Sequence, residues 1–276
     1  MSRKSRRRAF GPTELFLIIA VLALLISVLL PSCSMAKENA KRAQCASNLS
    51  QIARGLYVYA QPDQGDKFPS VFLPRKDSAA TYWHYRTQMP TPKDVPSPTA
   101  DLWILILANS ATPKLFVCPS TPDEPDPAQD PLAFYDFAAA KNLSYAYQYM
   151  YDPDRPNLGC NYEDPTIPLA ADANPYIKGG VKTMADADRA SPSRGNTMNH
   201  RNREGGNLLF LDSHVDFVKS PDAGLMVGAA SAKASNRGRD NFYTVHSKTD
   251  GYDPGTTEGL PKTVNLASKS DACLVP

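Results

Sequence analysis

A single apolar segment near the amino terminus constrains this chain more than any other feature. Leu15 to Leu30 form a run of 16 residues that is apolar except for Ser27. As a helix it would measure about 24 Å, and with Phe10 and the turn at residues 11–13 it is long enough to cross a ~30 Å hydrocarbon core. Five basic residues precede it, at Arg3, Lys4, Arg6, Arg7 and Arg8. We therefore expect a single membrane span with a cytoplasmic amino terminus.

The charge of the remaining chain excludes one class of partner. Without those five residues, 25 basic residues stand against 28 acidic ones, a net charge of −3. Nucleic-acid binding through a basic surface is therefore not expected. The mean hydropathy of −0.38 excludes a protein with many membrane spans. The 25 prolines against 15 glycines predict short elements joined by rigid loops.

Glu14 and Pro31 do not fit an ordinary signal peptide. Glu14 places a carboxylate at the start of the apolar run, where it costs at least about 2 kcal/mol if it lies deep and unpaired. Pro31 ends the run, yet a helical pattern continues after it. Apolar residues recur there at spacings of four and three, at Cys45, Leu49, Ile52, Leu56 and Tyr59. The pattern predicts one helix of about fifty residues, first apolar and then amphipathic, with a kink near Pro31.

The segment from Arg7 to Leu15 resembles the amino-terminal motif of type IV prepilins and type II secretion pseudopilins. In that family a basic leader ends in a small residue, and the mature chain begins with Phe and carries Glu at its fifth position. The resemblance implies that a prepilin peptidase cleaves between Ala9 and Phe10 and that Phe10 is N-methylated. Glu14 would then pair with the Phe10 amine of a neighbouring subunit, and Pro31 would mark the kink of the helix.

The same resemblance implies a domain organisation. Residues 1–9 would be the leader, 10–31 the membrane and assembly half of the helix, 32–61 its amphipathic half, and 62–276 a periplasmic or extracellular body. The expected fold class is α+β, with a long amino-terminal helix packed on a small antiparallel sheet with proline-rich loops. The expected location is the inner membrane, with the body in the periplasm, followed by assembly into a filament.

The implied function is structural rather than enzymatic. The chain would be a major or minor subunit of a type IV pilus or of a type II secretion pseudopilus. Its partners would be the prepilin peptidase, other pilin or pseudopilin subunits, the inner-membrane assembly platform and membrane lipid.

A second interpretation of the amino terminus stays open. Residues 30–33 loosely match a lipoprotein cleavage site with lipidation at Cys33, and residues 7–10 resemble a twin-arginine export signal. The chain would then be an exported lipoprotein or a membrane-anchored binding domain, and Glu14 would have no explained role.

Short elements are predicted in the body. Residues 101–107 favour a buried helix, although their continuous apolar character also suits a strand. Strands are predicted at residues 114–119, 143–149 and 167–171. Two β-prone runs, residues 207–211 and 214–218, flank Asp212-Ser213 and predict a hairpin.

The carboxy-terminal part resembles a large planctomycete-type group of pilin-like proteins. Near the carboxy terminus of that group, a His is followed in order by a Gly-rich stretch, an apolar strand, an Asp-Gly pair and a His-Val pair. The matching residues here are His200, Gly205, Gly206, Asp212, Ser213 and His214, with Ser213 in the place of Gly. A catalytic or metal role for the two histidines and Asp212 is the alternative to local hydrogen bonding at a turn. No nucleophile elbow, HExxH or phosphate-binding loop accompanies them, so we expect no catalytic residue.

The five cysteines show no CxxC pair or other metal-ligand spacing. Cys45 and Cys118 are the pair that we expect to form a disulfide in an oxidising compartment, with buried thiols as the alternative. No cofactor is expected. Calcium stays open because Asp172, Asp186, Asp188 and the run of residues 248–253 supply oxygens, although none follows the EF-hand spacing.

Overall fold

The computed structural model describes residues 11–61, 65–70, 85–86, 97, 99–148, 159–160, 164–175, 177–178, 181–182, 196–221, 242–243 and 274–275. Within these residues the chain forms helices and short antiparallel strands, so the predicted α+β class is confirmed. Two compact units are distinguished, Met1–Ala40 and Lys41–Pro276.

Helix α1 (Pro12–Tyr59) is 48 residues long and continues through Pro31. Proline is tolerated as the first helical residue because its missing N–H would have no partner within the helix. Residues 12–40 of α1 belong to the first unit, where nearly every described side chain is exposed. Residues 41–59 belong to the second unit and are the part of α1 that enters its core.

The second half of α1 contributes an apolar stripe to that core. Cys45, Leu49, Ile52 and Leu56 are fully buried, and Tyr59 is partly buried against them. Spacings of three and four residues place these side chains on one face of a helix. The amphipathic pattern predicted from the sequence is therefore confirmed.

An antiparallel sheet forms the other side of the core. The strands are β1 (Tyr145–Gln148), β2 (Pro168–Asp172), β3 (Ile177–Lys178), β4 (Val181–Lys182), β5 (Gly206–Phe210), β6 (Val215–Val218) and β7 (Leu274–Val275). Five of them pair in the order β6-β5-β2-β1-β7, while β3 and β4 pair with each other. The predicted strands at 143–149 and 167–171 and the hairpin are confirmed, with four residues rather than two between β5 and β6.

Both faces of the central strands β1, β2 and β5 are covered. Leu209 and Tyr147 pack in the same cluster as the α1 stripe. Leu208 and Phe210 alternate with Leu209 along β5 and pack on the opposite face in a second cluster with Phe242. Central strands that are buried on both sides explain why β5 is apolar at successive positions.

Two predictions on the segment before β1 have different outcomes. Helix α2 (Ala100–Leu107) confirms the helical interpretation of residues 101–107. The strand predicted at residues 114–119 is wrong, because Pro113–Phe116 form a 3-10 turn. Pro113 starts this turn with its fixed φ, and the Leu115 N–H bonds to the Thr112 carbonyl.

Candidate functional site

Glu14 lies in the first turn of α1. The carboxylate oxygen Oε2 of Glu14 accepts a hydrogen bond from the backbone N–H of Gly11 at 3.1 Å. The backbone N–H groups of Glu14 and Leu15 both donate to the Gly11 carbonyl. Gly11 is thus the residue before the helix, and Glu14 reaches back to it from the third helical position, which is the Glu half of a capping box. Ala9 and Phe10, the predicted processing residues, lie outside the described residues.

The part of α1 that follows Glu14 exposes large apolar side chains. Their exposed fractions lie between 44% for Ile18 and 75% for Phe16 among the large apolar residues from Leu15 to Ile26. Of the helices within the described residues, none combines the length and apolarity that crossing a membrane requires.

A disulfide joins α1 to the segment before β1. Cys45 and Cys118 are bonded, their Cα atoms are 5.4 Å apart, and both are fully buried. Asn48, one turn further along α1, donates from its side-chain nitrogen to the Val117 carbonyl at 3.1 Å. The disulfide predicted from the sequence is therefore present, and a hydrogen bond from the same helix face supports it.

The carboxylate of Asp172, at the end of β2, is the centre of a buried polar cluster. Its Oδ2 atom lies 3.0 Å from Nε2 of His200, and both side chains are completely buried. The same oxygen accepts from the backbone N–H of Asn207 at 2.7 Å, and Oδ1 accepts from the side chain of Asn199 at 3.2 Å. A buried carboxylate is tolerated only when such donors replace water.

Gly205 and Gly206 allow the close packing around this cluster. A Cβ atom on Gly205 would lie 2.2 Å from the Val218 carbonyl oxygen, and one on Gly206 would lie 2.8 Å from a methyl group of Thr197. At Gly205 the obstacle is backbone of the paired strand, which cannot move aside independently. The Gly-Gly pair of the sequence motif thus has a steric explanation in this chain.

Asp212, Ser213 and His214 lie in the four-residue turn between β5 and β6. The Asp212 carboxylate accepts from the backbone N–H of His214 and also contacts its ring nitrogen Nδ1. Burial would raise the pKa of Asp212, but these bonds from His214 lower it below its ordinary value. Ser213 has φ of 72°, the left-handed region that glycine favours, which fits its place at the Gly position of the motif.

The two motif histidines have separate surroundings. The His214 ring stacks on Phe210 with centroids 4.3 Å apart and is partly exposed. His200 contacts Asp172 and Asn207 near the start of β5. Asp212 and His214 bond to each other locally. His200 contacts Asn207, seven positions later, and also Asp172, 28 positions earlier in the sequence.

A second polar cluster was not predicted from the sequence. The Arg86 guanidinium pairs with the buried Asp126 carboxylate at 2.9 Å and lies 3.8 Å from the centre of the Phe134 ring. Nearby, Asp136 accepts hydrogen bonds from the hydroxyls of Ser97 and Thr99 at 2.5 to 2.9 Å. Burial raises the pKa of Asp136 to about 7, against the opposing effect of those hydroxyls. No sequence pattern predicted this arrangement, because Asp126 and Asp136 are isolated acidic residues whose side-chain partners lie far away in the sequence.

The fold places the predicted cysteine pair beside Asp172 and His200, which no sequence spacing connected to it. Cys45, Cys118, Asp172 and His200 each offer one ligand atom, and these atoms lie within 4.8 Å of one another. Asp172 is the single calcium candidate among the described residues, and Asp186, Asp188 and residues 248–253 lie outside them. In comparisons with known proteins, no family model, curated protein or solved structure matches this chain.

Proposed function

We propose that this chain is a structural subunit, major or minor, of a type IV pilus or a type II secretion pseudopilus. It would be cut by a prepilin peptidase between Ala9 and Phe10, held in the inner membrane by residues 10–31, and assembled through α1. The chain would act as a filament component and not as an enzyme.

The exposed apolar part of α1 carries this proposal. Large side chains from Leu15 to Ile26 are 44% to 75% exposed, and apolar surface costs about 25 cal/mol per Å² in water. A continuous apolar surface of this kind indicates a lipid or protein partner. Lipid would cover it before assembly and neighbouring copies of the same helix would cover it afterwards.

Glu14 would set the position of each subunit along the filament relative to its neighbour. Within one chain its carboxylate caps the first turn of α1 by accepting from the Gly11 N–H. After cleavage, the new Phe10 amine of a neighbour would offer this carboxylate a cation. A carboxylate beside apolar surroundings is costly unless paired, so pairing between subunits would favour stacking.

The structure of the second unit supports the proposal that it is a folded body exported from the cytoplasm. An antiparallel sheet packs on the apolar stripe of α1, and the buried Cys45–Cys118 disulfide is typical of oxidising compartments. These features support a folded body outside the cytoplasm that the amino-terminal helix carries into a filament.

Two carboxylates on α1 offer a matched test. Glu14→Gln removes the charge at the proposed contact, while Glu38→Gln removes a charge elsewhere on the same helix. In the source cells, we expect Glu38→Gln to reach the sheared filament fraction and Glu14→Gln to remain in the membrane fraction. Equal recovery of both variants in filaments would contradict the assembly role of Glu14.

A further inference from the structure

The Cys45–Cys118 disulfide lies beside the buried pair of Asp172 and His200. The four potential ligand atoms lie within 4.8 Å of one another, and all four residues are buried. We propose that the dithiol state of this chain binds one Zn²⁺ ion through these four side chains. The site would thus have two alternative states, a disulfide and a zinc dithiolate.

The residue types fit zinc. Zn²⁺ takes four ligands in a tetrahedron from thiolate, imidazole and carboxylate groups, with Zn–S bonds of about 2.3 Å and Zn–N bonds of about 2.0 Å. The N···O edge of such a tetrahedron is about 3.3 Å by the same bond lengths, and Nε2 of His200 lies 3.0 Å from Oδ2 of Asp172. Breaking the disulfide would let the two sulfurs separate to about 3.8 Å, the S···S edge of the tetrahedron.

Groups around the four residues would orient them as ligands. Asn199 and Asn207 donate hydrogen bonds to the Asp172 carboxylate and fix its direction. The Tyr145 hydroxyl lies 3.5 Å from Sγ of Cys45 and points a donor at the sulfur. Outer hydrogen bonds of this kind hold metal ligands in place and raise affinity.

The charge of the complex is also acceptable. Two thiolates and one carboxylate against Zn²⁺ and a neutral imidazole leave a single negative charge. The donors from Asn199, Asn207 and Tyr145 face that charge. They would partly replace the water that a buried anion loses.

The two states are connected by a two-electron exchange. The chain is synthesised with thiols, which lose two protons when Zn²⁺ binds them as thiolates. A protein disulfide from an oxidising partner would then accept two electrons from the two thiolates. The Cys45–Cys118 bond forms, the partner's bond breaks to give two thiolates, and Zn²⁺ is released.

Metal titration of the full chain tests this inference. Purified protein, reduced with a phosphine and freed of metal, is titrated with Zn²⁺ against a chromophoric chelator and, separately, with Co²⁺. We expect the reduced wild-type chain to bind one metal ion and, with Co²⁺, to show the absorption bands of tetrahedral cobalt and of thiolate-to-cobalt charge transfer. The Cys45→Ser/Cys118→Ser variant should show neither the binding nor the bands. Zinc should also raise the melting temperature of the reduced chain relative to chelator.

His200 and His214 provide a matched pair of controls. His200→Gln should weaken zinc binding by more than the roughly 10–100-fold that loss of an outer partner produces, and His214→Gln should leave it unchanged. Cooperative melting of both oxidised variants checks their folding. Wild-type affinity in His200→Gln, or equal zinc binding by the reduced wild type and the double serine variant, would overturn the proposal. The result does not depend on whether the chain forms filaments.

Discussion

The Asp172 carboxylate lies 3.0 Å from Nε2 of His200, and both side chains are completely buried. The pair links the end of β2 to the segment that leads into β5. The Asp172 oxygens also bond to Asn199 and to the backbone of Asn207. One carboxylate therefore satisfies donors from three separate residues in the interior.

Replacing Asp172 should destabilise the second unit strongly. In Asp172→Ala the buried donors of Asn199, Asn207 and His200 lose their acceptor. Each buried donor that is left without an acceptor costs about 1–3 kcal/mol. Urea denaturation of the oxidised full chain in the presence of chelator measures this change.

Asp216→Ala is the control for that experiment. Its side chain is 70% exposed, so the free energy of unfolding should change by less than about 0.5 kcal/mol. Equal effects of the two substitutions would show that the Asp172 cluster does not stabilise the fold.

Glycine-to-alanine substitutions at two positions should have opposite effects. At Gly205 a Cβ atom would lie 2.2 Å from the Val218 carbonyl oxygen. Because this overpacks the interior, we expect alanine to lower the free energy of unfolding by roughly 1–3 kcal/mol or more. At Gly55, inside α1, the nearest atoms are 3.4 Å away, and alanine should gain up to about 1 kcal/mol from its helix propensity. Thermal melting of the two variants compares them directly; destabilisation of both by the same amount would contradict the steric explanation.

The stability of the second unit should depend on the ionisation of Asp136. Burial raises its pKa from 3.8 to about 7, so the folded chain holds a proton that the unfolded chain loses in this range. The contribution to stability is complete below pH 3.8 and is lost as the pH rises through 7, with a slope of up to about 1.4 kcal/mol per pH unit.

Asp136→Asn removes this proton equilibrium. Relative to the wild type, the variant should become steadily more stable between pH 4 and pH 8, roughly the range of the shift. Melting curves of both proteins across this range, with the exposed Asp216→Asn as control, provide the measurement. Parallel pH profiles for the wild type and Asp136→Asn would rule out the raised pKa.

Regular patterns in the sequence predicted the elements with periodic side chains. The three- and four-residue spacing from Cys45 to Leu56 identified the buried face of α1, because side-chain direction in a helix follows from spacing alone. The hairpin could also be predicted from a local pattern, since two β-prone runs flank the turn residues Asp212 and Ser213. The strand prediction at residues 114–119 was wrong because Pro113 begins a 3-10 turn, although the residues that follow it are apolar and favour a strand.

The buried clusters depend on contacts between distant residues. His200 and Asp172 are separated by 28 positions, and no spacing rule connects them. Asp172 did follow a predicted strand, and the motif did contain His200, so each residue carried a weak signal by itself. The Arg86, Asp126 and Asp136 arrangement had no local pattern, because its partners come from separate loops.

The mature amino terminus tests the central claim most directly. Mass spectrometry of the chain purified from native membranes should give a protein that begins at Phe10 with an N-methyl group, because the account requires cleavage after Ala9. A chain that begins at a lipidated Cys33 would contradict it, since Glu14 and the apolar part of α1 would be absent from the mature protein.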